Sequence, residues 1–275
     1  MRKLLTICMM LWVACATALA LNVQRLFWSA DVREAAEEPA ITQVYVGFTN
    51  EVGVSLHGMT EGNGWTSTAW SVFQAATYSN QWTVHAGSLA YSGVTTNGGH
   101  MSCALEGDGV TRHTNTWRGL DEPIYLDGTN VFWIGFLMQP PSGWHRTGNL
   151  YLDGPSGSGP SVYLLDWDND FGATGDLFNA ALDLPNSDVQ LVLARITTTD
   201  TTANERVVCY LSPDLGAATN TWSTFTTWTN WTLDDGGVGP IDRIRLESSR
   251  VNAPGAEWFI DEFRIGNTWQ EAVGQ

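Results

Sequence analysis

The chain reads as all-β, a sandwich of two antiparallel sheets, on three observations. From Ile41 onward, short runs rich in Val, Thr, Tyr and Trp are split by Gly, Asn or Asp-Gly turns, a composition that favours strands over helices. No stretch between Ile41 and Gly266 sustains a 3.6-residue period. Near the end, Ile241-Asp242-Arg243-Ile244-Arg245-Leu246 and Trp258-Phe259-Ile260-Asp261-Glu262-Phe263-Arg264-Ile265-Gly266 alternate apolar and charged residues, as strands do with one face in a core. About a dozen such runs in one chain pack as two sheets.

Residues 1–20 stand apart. Arg2 and Lys3 precede an apolar run from Leu4 to Ala20 that ends Ala18-Leu19-Ala20, the pattern of a secretory signal peptide. The run is barely long enough to span a bilayer and no second apolar stretch follows, so no transmembrane anchor is expected after signal removal. Cys15 is an alternative lipid acceptor, with Trp12 a poor fit to that site. The expected location is secreted, cell surface or periplasm. Residues 21–40 hold the acidic run Asp31 to Glu38, closed by Pro39, and read as a mobile leader or a short helix capped by Asp31. The domain proper is 41–272, one unit, as 275 residues and 43% apolar content allow.

Lys3 is the only lysine, so signal removal leaves 11 arginines against 29 acidic residues and a net charge of −18. That excess repels phosphate backbones and argues against a nucleic-acid partner, while favouring solubility and divalent cations. Cys103 and Cys209 remain in the mature chain, where they can form a disulfide if geometry permits.

In order, the first strand is expected over 43–49, followed by the Gly58 to Trp65 loop. Residues 80–85 and 88–91 read as a hairpin about Ala86-Gly87. Strands at 100–105 and 131–138 follow, the second almost wholly apolar and therefore buried on both faces. Runs at 149–152, 161–166, 189–198 and 206–211 continue the series. A loop carrying Trp222, Trp228 and Trp231 precedes the two closing strands. Those closing strands require Ile260 and Phe263 inward and Asp261 outward.

Gly62-Asn63-Gly64-Trp65, Gly87-Ser88-Leu89-Ala90-Tyr91-Ser92-Gly93, Thr96-Asn97-Gly98-Gly99 and above all Ile260-Asp261-Glu262-Phe263-Arg264-Ile265-Gly266 give the chain its likeness. It resembles the laminin-G-like, concanavalin-A-like jelly-roll proteins exported by planctomycetes and verrucomicrobia. The resemblance covers most of 43–272. It implies two curved sheets in which the last strand pairs close to the first, and a role in carbohydrate binding or cell-surface or matrix adhesion. It also implies a structural calcium, with Asp261 on the closing strand joining backbone oxygens of the first strand; hard oxygen donors of that kind suit calcium. Asp261 as a solvent-facing residue or an arginine partner is the other reading. Many such proteins carry a C-terminal sorting helix, which the nine residues after Gly266 are too few to supply.

Catalytic patterns are weak. Glycosidases of this broad fold place acids as Glu-x-Asp-x-x-Glu on one strand face. The nearest match, Glu106-Gly107-Asp108, ends in Thr111 where the last acid belongs. Adjacent pairs such as Asp121-Glu122 point to opposite faces of a strand. Asp166-Trp167-Asp168-Asn169-Asp170 has calcium-loop spacing, but Phe171 and Leu177 replace the Gly and the bidentate Glu. The five histidines form no zinc spacing.

Tryptophan is the remaining signal. Trp65, Trp133 and Trp258 are expected in the core. Trp144, Trp167, Trp222, Trp228 and Trp231 fall in expected loops, where an indole face can stack on a sugar ring. The expected protein is an exported, non-catalytic jelly roll that binds a polysaccharide or surface glycan. The alternatives are a purely structural surface protein and a glycoside hydrolase or lyase of the same fold.

Overall fold

The computed structural model describes residues 41–49, 52–72, 82–104, 114–125, 130–139, 148–154, 188–198, 205–224, 226–231, 240–248 and 257–275. At 104, 114, 148–149, 205, 226–231 and 247–248 it describes the backbone alone. The expected signal peptide and acidic leader, Glu106 to Asp108, the Asp166 to Asp176 cluster and the expected strand at 161–166 lie outside those residues.

The strands are β1 Val44–Val46, β2 Ser71–Val72, β3 Trp82–Ala86, β4 Gly99–Ala104, β5 Thr114–Ile124, β6 Val131–Gln139 and β7 Gly148–Asp153. After them come β8 Gln190–Thr197, β9 Glu205–Leu211, β10 Thr226–Trp231, β11 Ile241–Ser248 and β12 Glu257–Gly266. One sheet runs β10-β9-β8-β6-β12-β4-β3, with β1 also paired to β12, and the other runs β2-β5-β11-β7. Every pairing is antiparallel. This is the two-sheet sandwich the sequence predicts, and the last strand does pair with the first, Val44 opposite Ile265 and Val46 opposite Phe263.

The inter-sheet core follows strand alternation. Trp82 and Val84, Met101 and Cys103, Phe132, Ile134 and Phe136, and Trp258 and Ile260 meet Leu150, Leu152, Ile244 and Leu246 of the smaller sheet. Trp82 and Trp258 pack edge to face at 6.0 Å between ring centroids. Strand β6 is flanked by β8 and β12 and buried along most of its length, as its apolar run requires.

The opposite face of the larger sheet is also plugged. Leu137, Leu191 and Leu193 project there and are covered by Leu89, Trp222, Ala272 and Val273. Ala272 and Val273 belong to a short helix, α1 Trp269–Val273, that sequence periodicity does not detect. Its boundaries are nonetheless written in the chain: Thr268 and Glu271 form a capping box and Gly274 closes it at φ 77°.

Three expectations need correction here. Strand β3 pairs with β4, His85 opposite His100, so 87–98 is a long loop rather than the second arm of a hairpin. Trp65 and Trp258 are core residues, but Trp133 lies on the plugged outer face, half-buried and stacked on Tyr210. Cys103 and Cys209 are both buried and form no disulfide with each other. They sit on β4 and β9, with β12, β6 and β8 between them. Four strand spacings amount to ~19 Å, whereas a disulfide needs Cα atoms within about 7 Å. The Cys209 thiol is pushed up to about 12 by burial, so it is inert as well as unpaired.

Helix α1 seats on β6 only because Gly135 has no side chain: a Cβ there would lie 2.1 Å from the Ala272 carbonyl oxygen. Gly135→Ala is therefore expected to destabilise the protein by about 1–3 kcal/mol through overpacking. Urea unfolding measures this, and an unchanged midpoint would show that α1 does not dock there.

Candidate functional site

Strand β12 decides what covers the larger sheet. Its inward residues are Trp258 and Ile260, then Phe263 and Ile265, a spacing that no regular strand can satisfy. A bulge resolves the conflict. Against β6, Asp261 lies opposite Leu137 and Arg264 opposite Gly135, so β12 carries one extra residue, with Glu262 at φ 54°. Ile260 and Phe263 both face the core, as expected.

Asp261 turns away from that core but is not solvent-facing: it is fully buried beneath the 87–98 loop. Its Oδ2 accepts from the Leu89 amide at 2.9 Å and its Oδ1 from the Glu262 amide at 2.8 Å. Glu262 accepts from the Asn97 amide and pairs with Arg264 at 2.5 Å. Arg264 donates to the Thr95 carbonyl at 2.7 Å and lies 4.6 Å from the centroid of the Tyr45 ring. The three charged residues of the closing motif thus hold the 87–98 loop at 89, 95 and 97.

That arrangement does not fit a calcium ion at Asp261. Both carboxylate oxygens already receive N–H donors, and the neighbouring acid is committed to Arg264. Burial first, and then the charge of Glu262, push the Asp261 carboxyl up to about 8. Among the described residues no group of three or more His, Cys, Asp or Glu is placed to hold a metal. His85 and His100 do meet across β3 and β4, but their rings stack at 5.2 Å with 14° between planes. Near-parallel planes cannot aim two in-plane lone pairs at one ion.

The tryptophans scatter. Trp222 is buried, its Nε1 donating to the Asp214 carbonyl at 2.8 Å and its ring packed edge to face on Tyr210 and Trp269. Trp228 and Trp231 lie in strand β10 rather than a loop, and only their backbone is described. Trp144 and Trp167 lie outside the described residues.

The loops held on the plugged face enclose a surface pocket of about 490 Å³. Tyr91, Ser92 and Gly93 form one wall, Ser212 to Gly216 the other, and Gln275 the end. Each wall is fixed from below. Tyr91 Oη donates to the Pro213 carbonyl at 2.9 Å, tying the two loops together. Gly93, at φ 86°, approaches so closely that a Cβ would meet Leu215 at 3.1 Å. Gln275 Nε2 donates to the Gly93 carbonyl at 2.6 Å.

Asp214 orders the second wall. Its Oδ1 accepts from the Gly216 amide at 2.9 Å, and its carbonyl oxygen accepts from the Ala217 amide at 3.0 Å as well as from Trp222. Burial, with a contribution from Asp214, raises the Tyr91 phenol above its usual range, so the ring stays neutral. Among the described residues no partner is found for the Ser92 hydroxyl, Asp214 Oδ2 or Gln275 Oε1, and Tyr91 lines the pocket beside them. None of these residues was a candidate from the sequence.

Among the described residues the pocket is lined by one carboxylate side chain, Asp214, whereas glycoside hydrolysis uses a pair of acids. Glu257 and Asp261 do share a strand and a face, but four residues apart they are separated by ~13 Å, beyond the ~5–9.5 Å that chemistry needs.

No protein-family model matches the chain, and no curated protein matches it. Among solved structures, it is similar to a putative β-glucanase from Mycobacterium abscessus, at 13% identity and TM-score 0.44 over 80% of this chain and 98% of that one. A GH131 β-glucanase catalytic domain from Podospora anserina aligns at 9% identity and TM-score 0.42, covering 80% and 86%. A seed lectin from Lotus tetragonolobus aligns at 12% and 0.35, covering 68% and 93%. The fold assignment rests on the two sheets themselves.

The unfolded chain loses the Asp261 proton near 3.8 and the folded protein near about 8, so ionisation costs the folded state. The stability this group contributes therefore falls as pH rises through that window. Asp261→Asn is expected to flatten the decline. At pH 5 it should also cost about 1–3 kcal/mol, because an amide NH2 then faces a backbone N–H. Denaturant titrations across pH measure both effects. Excess chelator is expected to leave the melting temperature of the unsubstituted protein unchanged, and a fall would restore calcium to the closing strand.

Proposed function

We propose that this is an exported, non-catalytic carbohydrate-binding protein of the concanavalin-A-like jelly-roll class, acting at a cell surface or in a matrix. The observation that carries the reading is the pocket between Tyr91–Gly93 and Ser212–Gly216. An aromatic ring, a hydroxyl, an amide oxygen and a carboxylate oxygen converge there on a concavity of about 490 Å³. That volume lies within the range of small-ligand sites. Sugars present apolar ring faces beside hydroxyl groups, and an aromatic ring flanked by acceptors matches both.

Support also comes from how the site is built. Both walls are ordered by partly buried hydrogen bonds within the protein, so little entropy is lost on binding. The single carboxylate favours binding over hydrolysis. The apolar run at 4–20 supports export, and the Gly87 to Gly99 and Ile260 to Gly266 segments support membership of the exported family they resemble.

A glycan array probed with the purified protein is expected to return saccharide ligands, and Asp214→Ala or Tyr91→Ala to weaken the best of them at least tenfold by calorimetry. An array that stays silent for a folded protein would move the reading to a structural surface component.

A further inference from the structure

The same pocket carries information about which sugar it takes, and this step rests on the carbohydrate reading above. Its side-chain donors are nearly all spent. Tyr91 Oη is used on Pro213, Ser212 Oγ on Gln190 Oε1 at 2.6 Å, and Gln275 Nε2 on Gly93. The acceptors are not: Asp214 Oδ2 and Gln275 Oε1 are left over, beside a Ser92 hydroxyl that can serve either way. Among the described residues no lysine, arginine or histidine lines the cavity, and Asp214 is the one charged side chain there.

An acceptor-rich site without a cation disfavours uronates and sulfated sugars, whose charge would face Asp214 with nothing to pair it. A ligand that brings its own donors and a positive charge suits it. An ammonium group can bind the Asp214 carboxylate and the Gln275 side-chain carbonyl at the wall that Tyr91 lines. The net charge of −16 adds attraction over longer range.

We infer that the pocket between Tyr91 and Asp214 recognises a saccharide bearing a free, protonated amine, that is, a deacetylated amino sugar. The probes are a β-1,4-linked glucosamine disaccharide and its N-acetylated counterpart, titrated into the full protein by calorimetry at pH 6 and pH 9. The amine form is expected to bind at least tenfold more tightly at pH 6, to lose that advantage at pH 9 where the amine is neutral, and to weaken with added salt. Asp214→Asn, which keeps the shape and an acceptor at the Gly216 amide, is expected to bring the two ligands to equal affinity.

Equal binding of the two disaccharides by the unsubstituted protein, or tighter binding of the acetylated one, would overturn the amine inference and leave the carbohydrate reading standing. Binding of neither, with a silent array, would overturn both. Near-ultraviolet circular dichroism of Asp214→Asn matching the unsubstituted protein establishes that its loss of preference is not unfolding.

Discussion

The structure depends on a one-residue bulge in β12 and the charges it places beneath the 87–98 loop. Without the extra residue, Ile260 and Phe263 could not both enter the inter-sheet core, and Asp261, Glu262 and Arg264 would not line one side of the strand. Those three side chains are almost wholly buried, a costly arrangement that persists because each is satisfied: amides of 89, 97 and 262 on the carboxylates, the Thr95 carbonyl on the guanidinium. Breaking the Glu262–Arg264 pair would leave a buried charge uncompensated, and removing an amide from Asp261 a buried polar atom unsatisfied, so the motif acts as a unit.

From that clamp follows the use made of the sheet's outer face. A sandwich ordinarily buries one face of each sheet. Here the larger sheet buries much of both, because the clamped loop, the Trp222 segment and α1 bring Leu89, Trp222, Ala272 and Val273 down on Leu137, Leu191 and Leu193. The loops pinned by this second apolar cluster emerge at its margin as the walls of the pocket. Rigidity below and accessible polar atoms above are the division of labour by which a binding site is positioned on a scaffold. Tyr91 belongs to both layers, its ring against the apolar cluster and its hydroxyl bridging to the Pro213 loop.

The closing motif shows how legibility runs out. Its alternation announced a strand correctly on either side of Asp261, and the requirement that Ile260 and Phe263 both turn inward was readable in the chain. That two residues three apart can share a face only through a bulge is geometry, yet where Asp261 then points depends on Leu89, 172 positions away. Calcium at Asp261 is what the family resemblance implies; the two amide donors on its carboxylate become visible only when the loop is in place. Trp222 makes the same point. Its neighbourhood reads as an exposed loop, but Tyr210 and Trp269 arrive from β9 and α1 to bury it. Helix α1 was not expected, because five residues are too short for a helical period to register, although Thr268 and Glu271 stand at capping-box spacing.

By itself, the sequence determined the all-β class, the strand-rich span from 41, the buried character of β6, the inward faces of β12 and the strongly acidic balance. These are properties of local pattern: period two, turn residues and composition act within a few positions of one another. The tertiary structure alone decided that 87–98 is a clamped loop, that Cys103 and Cys209 stay apart, that His85 stacks on His100, and that Tyr91, Asp214 and Gln275 share a pocket. Each of these joins residues brought together by strand order across a sheet, and strand order is set by which faces can be buried against which, a global condition that no short stretch of chain contains.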